Sequence, residues 1–169
     1  MTDPSPENVL EHPCVRRVAA ALAFSGVRAQ IMVLDEAART ARQAADALGV
    51  GIAQIANSLV FRAHREDDTI RPLLILTSGA HRVDTTKVAD LLELSRISRA
   101  DAEFVREHTG FAIGGVAPIA LRHPVETVVD ISLRGYDQVW AAAGHPNTVF
   151  PTTCDELLRL TGGHAFEVA

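Results

Sequence analysis

Residues 57–78 read NSLVFRAHREDDTIRPLLILTS, and the way this stretch divides sets the architecture. Two runs rich in Leu, Val, Ile and Phe, 57–64 and 71–78, flank the charged segment REDDTI at 65–70. Branched and aromatic residues suit a pleated surface and the polar segment suits a turn, so the stretch predicts a β-hairpin. A hairpin pairs its strands antiparallel, which argues against a purely doubly wound parallel sheet.

Helical and strand patterns alternate outward from the hairpin. Upstream, PCVRRVAAALAFSG predicts a helix over 13–25, with Pro13 in the first turn and Gly26 past the end. RAQIMVL at 28–34 predicts a strand, and TARQAADALG at 40–49 a helix with Thr40 and Gln43 at capping-box spacing and Gly49 as its stop. Downstream, Asp84 caps a helix that places Val88, Leu91 and Leu92 on one face, and Asp101 caps another that ends near Gly110. ETVVDI, QVWAAA and NTVFP predict strands, TTCDELLRLTGG a helix capped by Thr153 with Glu156 three residues on, and AFEV a final edge strand. Together these patterns give a single α+β domain over 1–169, with a mixed, partly barrel-like β-sheet covered by helices and a flexible N-terminus at 1–8.

Composition narrows the function. A chain of 169 residues, 47% hydrophobic, is long enough to bury one sizeable core. No apolar run approaches the ~20 residues that span a bilayer, and the N-terminus MTDPSPENVLEHP is acidic, so a cytoplasmic protein without a membrane partner is expected. The two cysteines, Cys14 and Cys154, lie at opposite ends of the chain and predict reduced thiols, not a disulfide framework. A net charge of −5 opposes broad adhesion to nucleic acid and leaves room for a local basic patch. Lys87 is the sole lysine, so any mechanism that needs a lysine amine must use it.

Standard signatures for phosphate binding and serine hydrolysis are missing: there is no P-loop, no G-x-S-x-G and no G-x-G-x-x-G. None of the seven histidines stands four residues from another, so no metal and no cofactor are expected. Cys154 at a helix start is either a low-pKa thiolate or, the simpler reading, an inert packed thiol. The passage TGFAIGGVAPIALRHP at 109–124 joins two adjacent glycines, Gly114 and Gly115, to Pro118. By itself it is either a tight turn or a backbone-lined cradle for a ligand.

Four segments in order, RTARQAADALGVGIAQIANSLVF, LILTSGAHRVDTTKVA, FVREHTGFAIGGVAP and WAAAGHPNTVFPTTCDELLRLTGG, resemble the YbaK/EbsC family of prolyl-tRNA synthetase-associated editing domains. The likeness runs over roughly residues 10–165. It implies a mixed, partly closed sheet covered by helices, and hydrolysis of amino acids wrongly attached to tRNA, often proline tRNA. The implied partners are the 3′ end of aminoacyl-tRNA and prolyl-tRNA synthetase, for a monomer or homodimer. Gly114 and Pro118 match the family's G-x-x-x-P loop, so the resemblance makes Gly114 and Gly115 N–H donors for the oxyanion of an ester hydrolysis.

The chain departs from the family where relatives commonly carry a lysine before the strand matching SLVF: here the residue is Asn57. Asparagine hydrogen-bonds without charge, so it can orient a water or a ribose hydroxyl but cannot neutralise a phosphate. The implied catalytic set is therefore Asn57, Gly114 and Gly115. The implied substrate-binding set is Thr40, Ser58, Arg82, Asp84, Phe111, Ile113, Pro118, Gly144 and His145. Thr40 and Asp84 are also plain helix caps, and Phe111 and Ile113 serve equally as core. Arg39, Arg42, Arg62 and Arg65 are candidate phosphate contacts. Loss of the lysine keeps an alternative open, a non-catalytic relative that binds aminoacyl-tRNA, a synthetase or a small aminoacyl ligand.

Overall fold

The computed structural model describes residues 6–169. The expected flexible segment 1–8 falls largely outside them, and its last residues enter helix α1 (Pro6–Leu10). In chain order follow α2 (Pro13–Phe24), β1 (Met32–Val33), α3 (Ala41–Leu48), β2 (Ile55–His64), β3 (Ile70–Ser78), α4 (Thr85–Leu91), β4 (Arg96–Arg99), α5 (Ala102–Thr109), β5 (Glu126–Asp130), β6 (Val139–Ala142), β7 (Thr148–Thr152), α6 (Cys154–Thr161) and β8 (His164–Phe166).

The helices begin where local chemistry satisfies their first amides. Thr40, Asp84, Asp101 and Thr153 each accept from the backbone N–H three residues on. Gly49, Gly110 and Gly162 end α3, α5 and α6 in the left-handed conformation. The segment 28–34 is a strand only at Met32–Val33, short of the expected seven residues. Leu34 N–H turns instead to Asn147 O, tying this segment to a distant loop.

β2 and β3 form the expected hairpin, in register from Ala56↔Ser78 to His64↔Ile70. The sheet is mixed and eight-stranded, ordered β1-β7-β6-β2-β3-β5-β8, with β4 on β2. β2–β6, β3–β5 and β5–β8 are parallel. Leu74 and Leu76 enter a core with Val18 and Leu22 of α2, Val105 of α5 and Leu157 of α6, while Leu73 and Ile75 pack with Val88 of α4. Burial on both faces explains why LLIL is continuously apolar. A smaller cluster seats Ala44 and Ala45 of α3 on Ile55, with Trp140 against it.

One feature of β2 positions the site. β3 occupies one edge along almost the whole strand, so β6 and β4 must share the other. β6 pairs there with Ile55 and Ala56, and β4 with Phe61 through His64. Asn57, Ser58, Leu59 and Val60 thus have no ladder partner on that edge, a gap of about 13 Å at ~3.3 Å per residue. In a sheet interior such a gap leaves main-chain groups for something other than a strand.

Candidate active site

The gap opens into a cavity of about 260 Å³ whose lining includes Asn57, Ser58 and Leu59 of β2, Arg39 and Thr40 before α3, Ile113 and Gly114, and Trp140 of β6. A second cavity of about 500 Å³ shares Ser58, Leu59, Ile113, Gly114 and Val116 with the first. It continues along the open edge to Phe61, Arg82, Val83 and Arg99. The two form one cleft with a narrow inner and a wider outer chamber.

Three loops enclose the inner chamber, one pair joined by hydrogen bonds and the next by close backbone packing. Ala38 N–H donates to Pro146 O at 2.8 Å and Asn147 Nδ2 to Leu34 O at 3.3 Å, which holds the approach to Thr40 against the 144–147 loop. Gly115 sits beneath that loop: a Cβ there would lie 3.1 Å from His145 Cα and 3.2 Å from its N and C. Gly144, at φ 102°, faces Cys14 O, which a Cβ would meet at 2.8 Å. Cys14 Sγ and Arg17 in turn donate to Gly110 O and Thr109 O, so the first turns of α2 brace both glycine loops.

The expected residues divide by position. Asn57, Ser58, Thr40, Ile113 and Gly114 line the inner chamber, and Arg82 the outer one. Phe111 is 1% exposed in the core, its ring under the Arg17 guanidinium, and Pro118 is buried behind the loop. Asp84 serves as the α4 cap. Gly115 N–H closes a turn on Ala112 O at 3.0 Å, so of the two glycines it is Gly114 whose N–H enters no internal bond among the described residues.

His145 is half-buried, and its Nδ1 accepts from Asn147 N–H at 3.1 Å. An amide can only donate, so the neutral ring carries its proton on Nε2. Burial first, then the charges of His12 and Arg39, hold its pKa below the ordinary histidine value. The His12 ring lies edge-on to it, 5.3 Å between centroids.

Asp130, fully buried at the end of β5, fixes the turn that carries Arg82. It accepts from Ser78 N–H at 3.0 Å, His81 Nδ1 at 2.8 Å and Ser132 N–H at 3.0 Å. Burial pushes its carboxyl up, and the hydrogen bonds from Ser132, Ser78 and His81 outweigh that and hold it below the usual range. Burial pushes the Cys154 thiol up, as suits an inert packed cysteine.

Arg99 and Trp140 went unassigned in the sequence. Among the described residues the ion pairs are Arg16–Glu11, Arg62–Asp101, His81–Asp130, Lys87–Glu167 and Arg134–Asp155, so Arg82 and Arg99 keep unpaired guanidiniums on the outer chamber. Arg62 is instead engaged by Asp101 and lies over Phe104. Ser58 Oγ and Trp140 Nε1, both in residues lining the inner chamber, are buried without a hydrogen-bond partner. Nothing local to either residue signals this.

Residues 35–160, which supply both chambers of this cleft, match the family model of the aminoacyl-tRNA editing domain. The chain belongs to that family. It is 34% identical over 123 residues to the uncharacterised protein YwhH of Bacillus subtilis, covering 73% of this chain and 75% of that one. It is 33% identical over 98 residues to a proline–tRNA ligase of Limosilactobacillus fermentum, covering 58% of this chain and 17% of the ligase. A crystal structure provisionally described as a trans-editing enzyme for prolyl tRNA synthetase superposes with a TM-score of 0.83 at 40% identity, over 92% of this chain and 96% of that one. No helix among the described residues is long and apolar enough to cross a membrane.

Proposed function

We propose that the chain is a trans-editing aminoacyl-tRNA deacylase that hydrolyses the ester of a mischarged tRNA, with proline tRNA carrying a small non-cognate amino acid as its substrate. The observation that carries this is the unpaired stretch Asn57–Val60, which lets one ligand lie along β2 through both chambers. The aminoacyl group fits the inner chamber. The terminal nucleoside fits the outer one, against Phe61 and Val83, with Arg82 and Arg99 for phosphate oxygens. Likeness to the trans-editing structure over 96% of its length supports action on a tRNA released by the synthetase.

In this scheme Asn57 orients the attacking water, or the ribose hydroxyl beside the ester, through its neutral amide. Gly114 N–H faces the carbonyl oxygen as charge builds on it, a contribution of roughly 10²–10³ in rate for one such donor. The water oxygen bonds to the carbonyl carbon, the ester C–O bond breaks, and the water's proton passes to the departing ribose oxygen. Aminoacyl esters are activated, so positioning with one oxyanion donor suffices without a charged base. His145 lines neither chamber; it stands on the loop packed over Gly115, with a neutral Nε2–H. A cytoplasmic setting and prolyl-tRNA synthetase as a partner belong to the same proposal.

The absence of the family lysine at position 57 supports a second reading, a binding relative without turnover. A deacylation assay on proline tRNA charged with alanine, cysteine, serine or a non-protein amino acid decides between them: release of the amino acid supports the first, and tight binding of the charged tRNA without release the second.

A further inference from the structure

The sheet ends at β1, and that end is unfinished. RAQIMVL at 28–34 has the composition of a longer strand, yet its ladder with β7 covers only Met32 and Val33. In the same register Leu34 N–H donates to Asn147 O. Main-chain groups alternate sides along a strand, so the N–H and C=O of Val33 point away from β7, to the open edge of the sheet. Such an edge is a template for another strand.

Between this edge and α3 runs a groove of about 680 Å³. Its apolar lining includes Met32, 44% exposed, with Val33 and with Ala47 of α3. Its charged lining is Asp35, Glu36 and Asp46, all exposed. Among the described residues no cation lines the groove, and none of the three carboxylates enters an ion pair.

Edge and groove together define the occupant. An unpaired strand edge takes an extended chain through main-chain hydrogen bonds, and alternate side chains of that chain reach the groove. Three carboxylates without counter-ions call for lysine or arginine on it. The same charges repel nucleic-acid phosphates and an anionic membrane surface. A second copy of this chain is a poor match, because its own 28–36 segment brings one cation, Arg28, against Asp35 and Glu36 into a groove that is already acidic.

We propose that the open edge of β1 and its groove are a docking site for a partner protein, which adds an extended segment of alternating basic and branched apolar residues as one further strand. The main chain of that segment pairs with Val33, its apolar side chains lie on Met32 and Ala47, and its cations meet Asp35, Glu36 and Asp46. Ala38 lines both this groove and the inner chamber, which sets the partner against a wall of the candidate active site. Docking requires no catalysis, so the inference stands apart from the deacylase reading.

The test is fluorescence anisotropy at low salt with three short labelled peptides. One alternates lysine with valine, the second replaces two of its valines by proline, and the third alternates glutamate with valine. Proline removes main-chain N–H groups at unchanged charge. The full chain is used as wild type, as Val33→Pro, and as the triple variant Asp35→Asn, Glu36→Gln, Asp46→Asn. Val33→Pro deletes an N–H on the open edge, where proline is tolerated, and spares the bonds to β7. The lysine–valine peptide should bind the wild type and slow hydrogen exchange at the Val33 amide. The proline peptide, and both variants with the lysine–valine peptide, should bind at least about tenfold more weakly, at unchanged melting temperature. The glutamate peptide should not bind. No binding of the lysine–valine peptide, equal binding of the proline or the glutamate peptide, or no protection of the Val33 amide overturns the proposal. A wild type that sediments as a dimer and becomes a monomer in Val33→Pro gives the edge to a second copy and overturns it as well. If Val33→Pro does not fold, exchange at the Val33 amide of the wild type decides alone.

Discussion

Gly115 lies so close beneath His145 that a single added Cβ would stand 3.1 Å from the His145 Cα. The G-x-x-x-P loop and the 144–147 loop are therefore packed backbone to backbone, and the position of one sets the position of the other. Gly115→Val should push the loops apart and lower deacylation at least about tenfold, at a stability cost of about 1–3 kcal/mol from overpacking. Steady-state kinetics alongside thermal melting test this, and full activity in that variant would separate the two loops functionally.

His145 makes the loop packed over Gly115 sensitive to acid, and through that loop the proposed reaction. Burial, with the nearby His12 and Arg39, holds its pKa below 6.5, so the neutral Nε2–H donor persists somewhat below that pH. Further acidification protonates Nδ1, which then faces Asn147 N–H donor to donor. Turnover should fall as pH drops through the lowered pKa, and His145→Gln should flatten that limb of the profile. For stability the sign is the same: the unfolded chain binds the proton first, so folding is penalised as pH falls below about 6.5 and relieved as it rises. An acid limb unchanged in His145→Gln would assign it to another group.

Asp130 carries a second, structural pH dependence. Its folded pKa is lowered, so its contribution is present above the unfolded value near 3.9 and is lost as pH falls through the folded one. Asp130→Asn places an amide NH₂ among the donors from Ser78, His81 and Ser132 and should cost about 1–3 kcal/mol at neutral pH. It should also weaken tRNA binding through the turn that holds Arg82. Urea unfolding at pH 7 and pH 3 checks the first point, and wild-type stability at pH 7 in the variant would contradict it.

Salt dependence probes the outer chamber. If Arg82 and Arg99 each meet a phosphate, replacing either by Gln should weaken tRNA binding and reduce the slope of log K against log salt by about 0.7. The preferred amino acid should not change. Arg62→Gln should alter the slope less, because Asp101 already holds that guanidinium. Equal slopes for the wild type and both variants would exclude phosphate contact at Arg82 and Arg99.

Elements whose determinants are local were legible before the structure. Thr40, Asp84, Asp101 and Thr153 announce helices because the cap and the amide it accepts are three residues apart. The hairpin was legible because both strands pair with each other. Long-range pairing was not. β4 reads RISR, two apolar or small residues between arginines, and is a strand because it meets β2 at Phe61–His64; without it Arg99 could not be placed. RAQIMVL had the composition of a strand, yet only Met32 and Val33 find partners, on β7. Phe111 and Pro118 carry the right motif and lie in the core. The unpartnered atoms of Ser58 and Trp140 are invisible in sequence, since a side chain's hydrogen-bond partners are set by what the fold packs around it.

Position 57 bears most directly on the account, because an asparagine stands on the inner chamber in a chain whose sole lysine, Lys87, is tied to Glu167 and the C-terminal backbone. The decisive measurement is single-turnover release of amino acid from mischarged proline tRNAs by the wild type, Asn57→Ala and Asn57→Lys. The account predicts turnover by the wild type, a loss of about one to two decades in Asn57→Ala at unchanged melting temperature, and retained activity in Asn57→Lys. A wild type inactive on every charged tRNA, with hydrolysis emerging only in Asn57→Lys, would contradict it and make the chain a binding relative. Robust turnover indifferent to both substitutions would remove Asn57 from the chemistry.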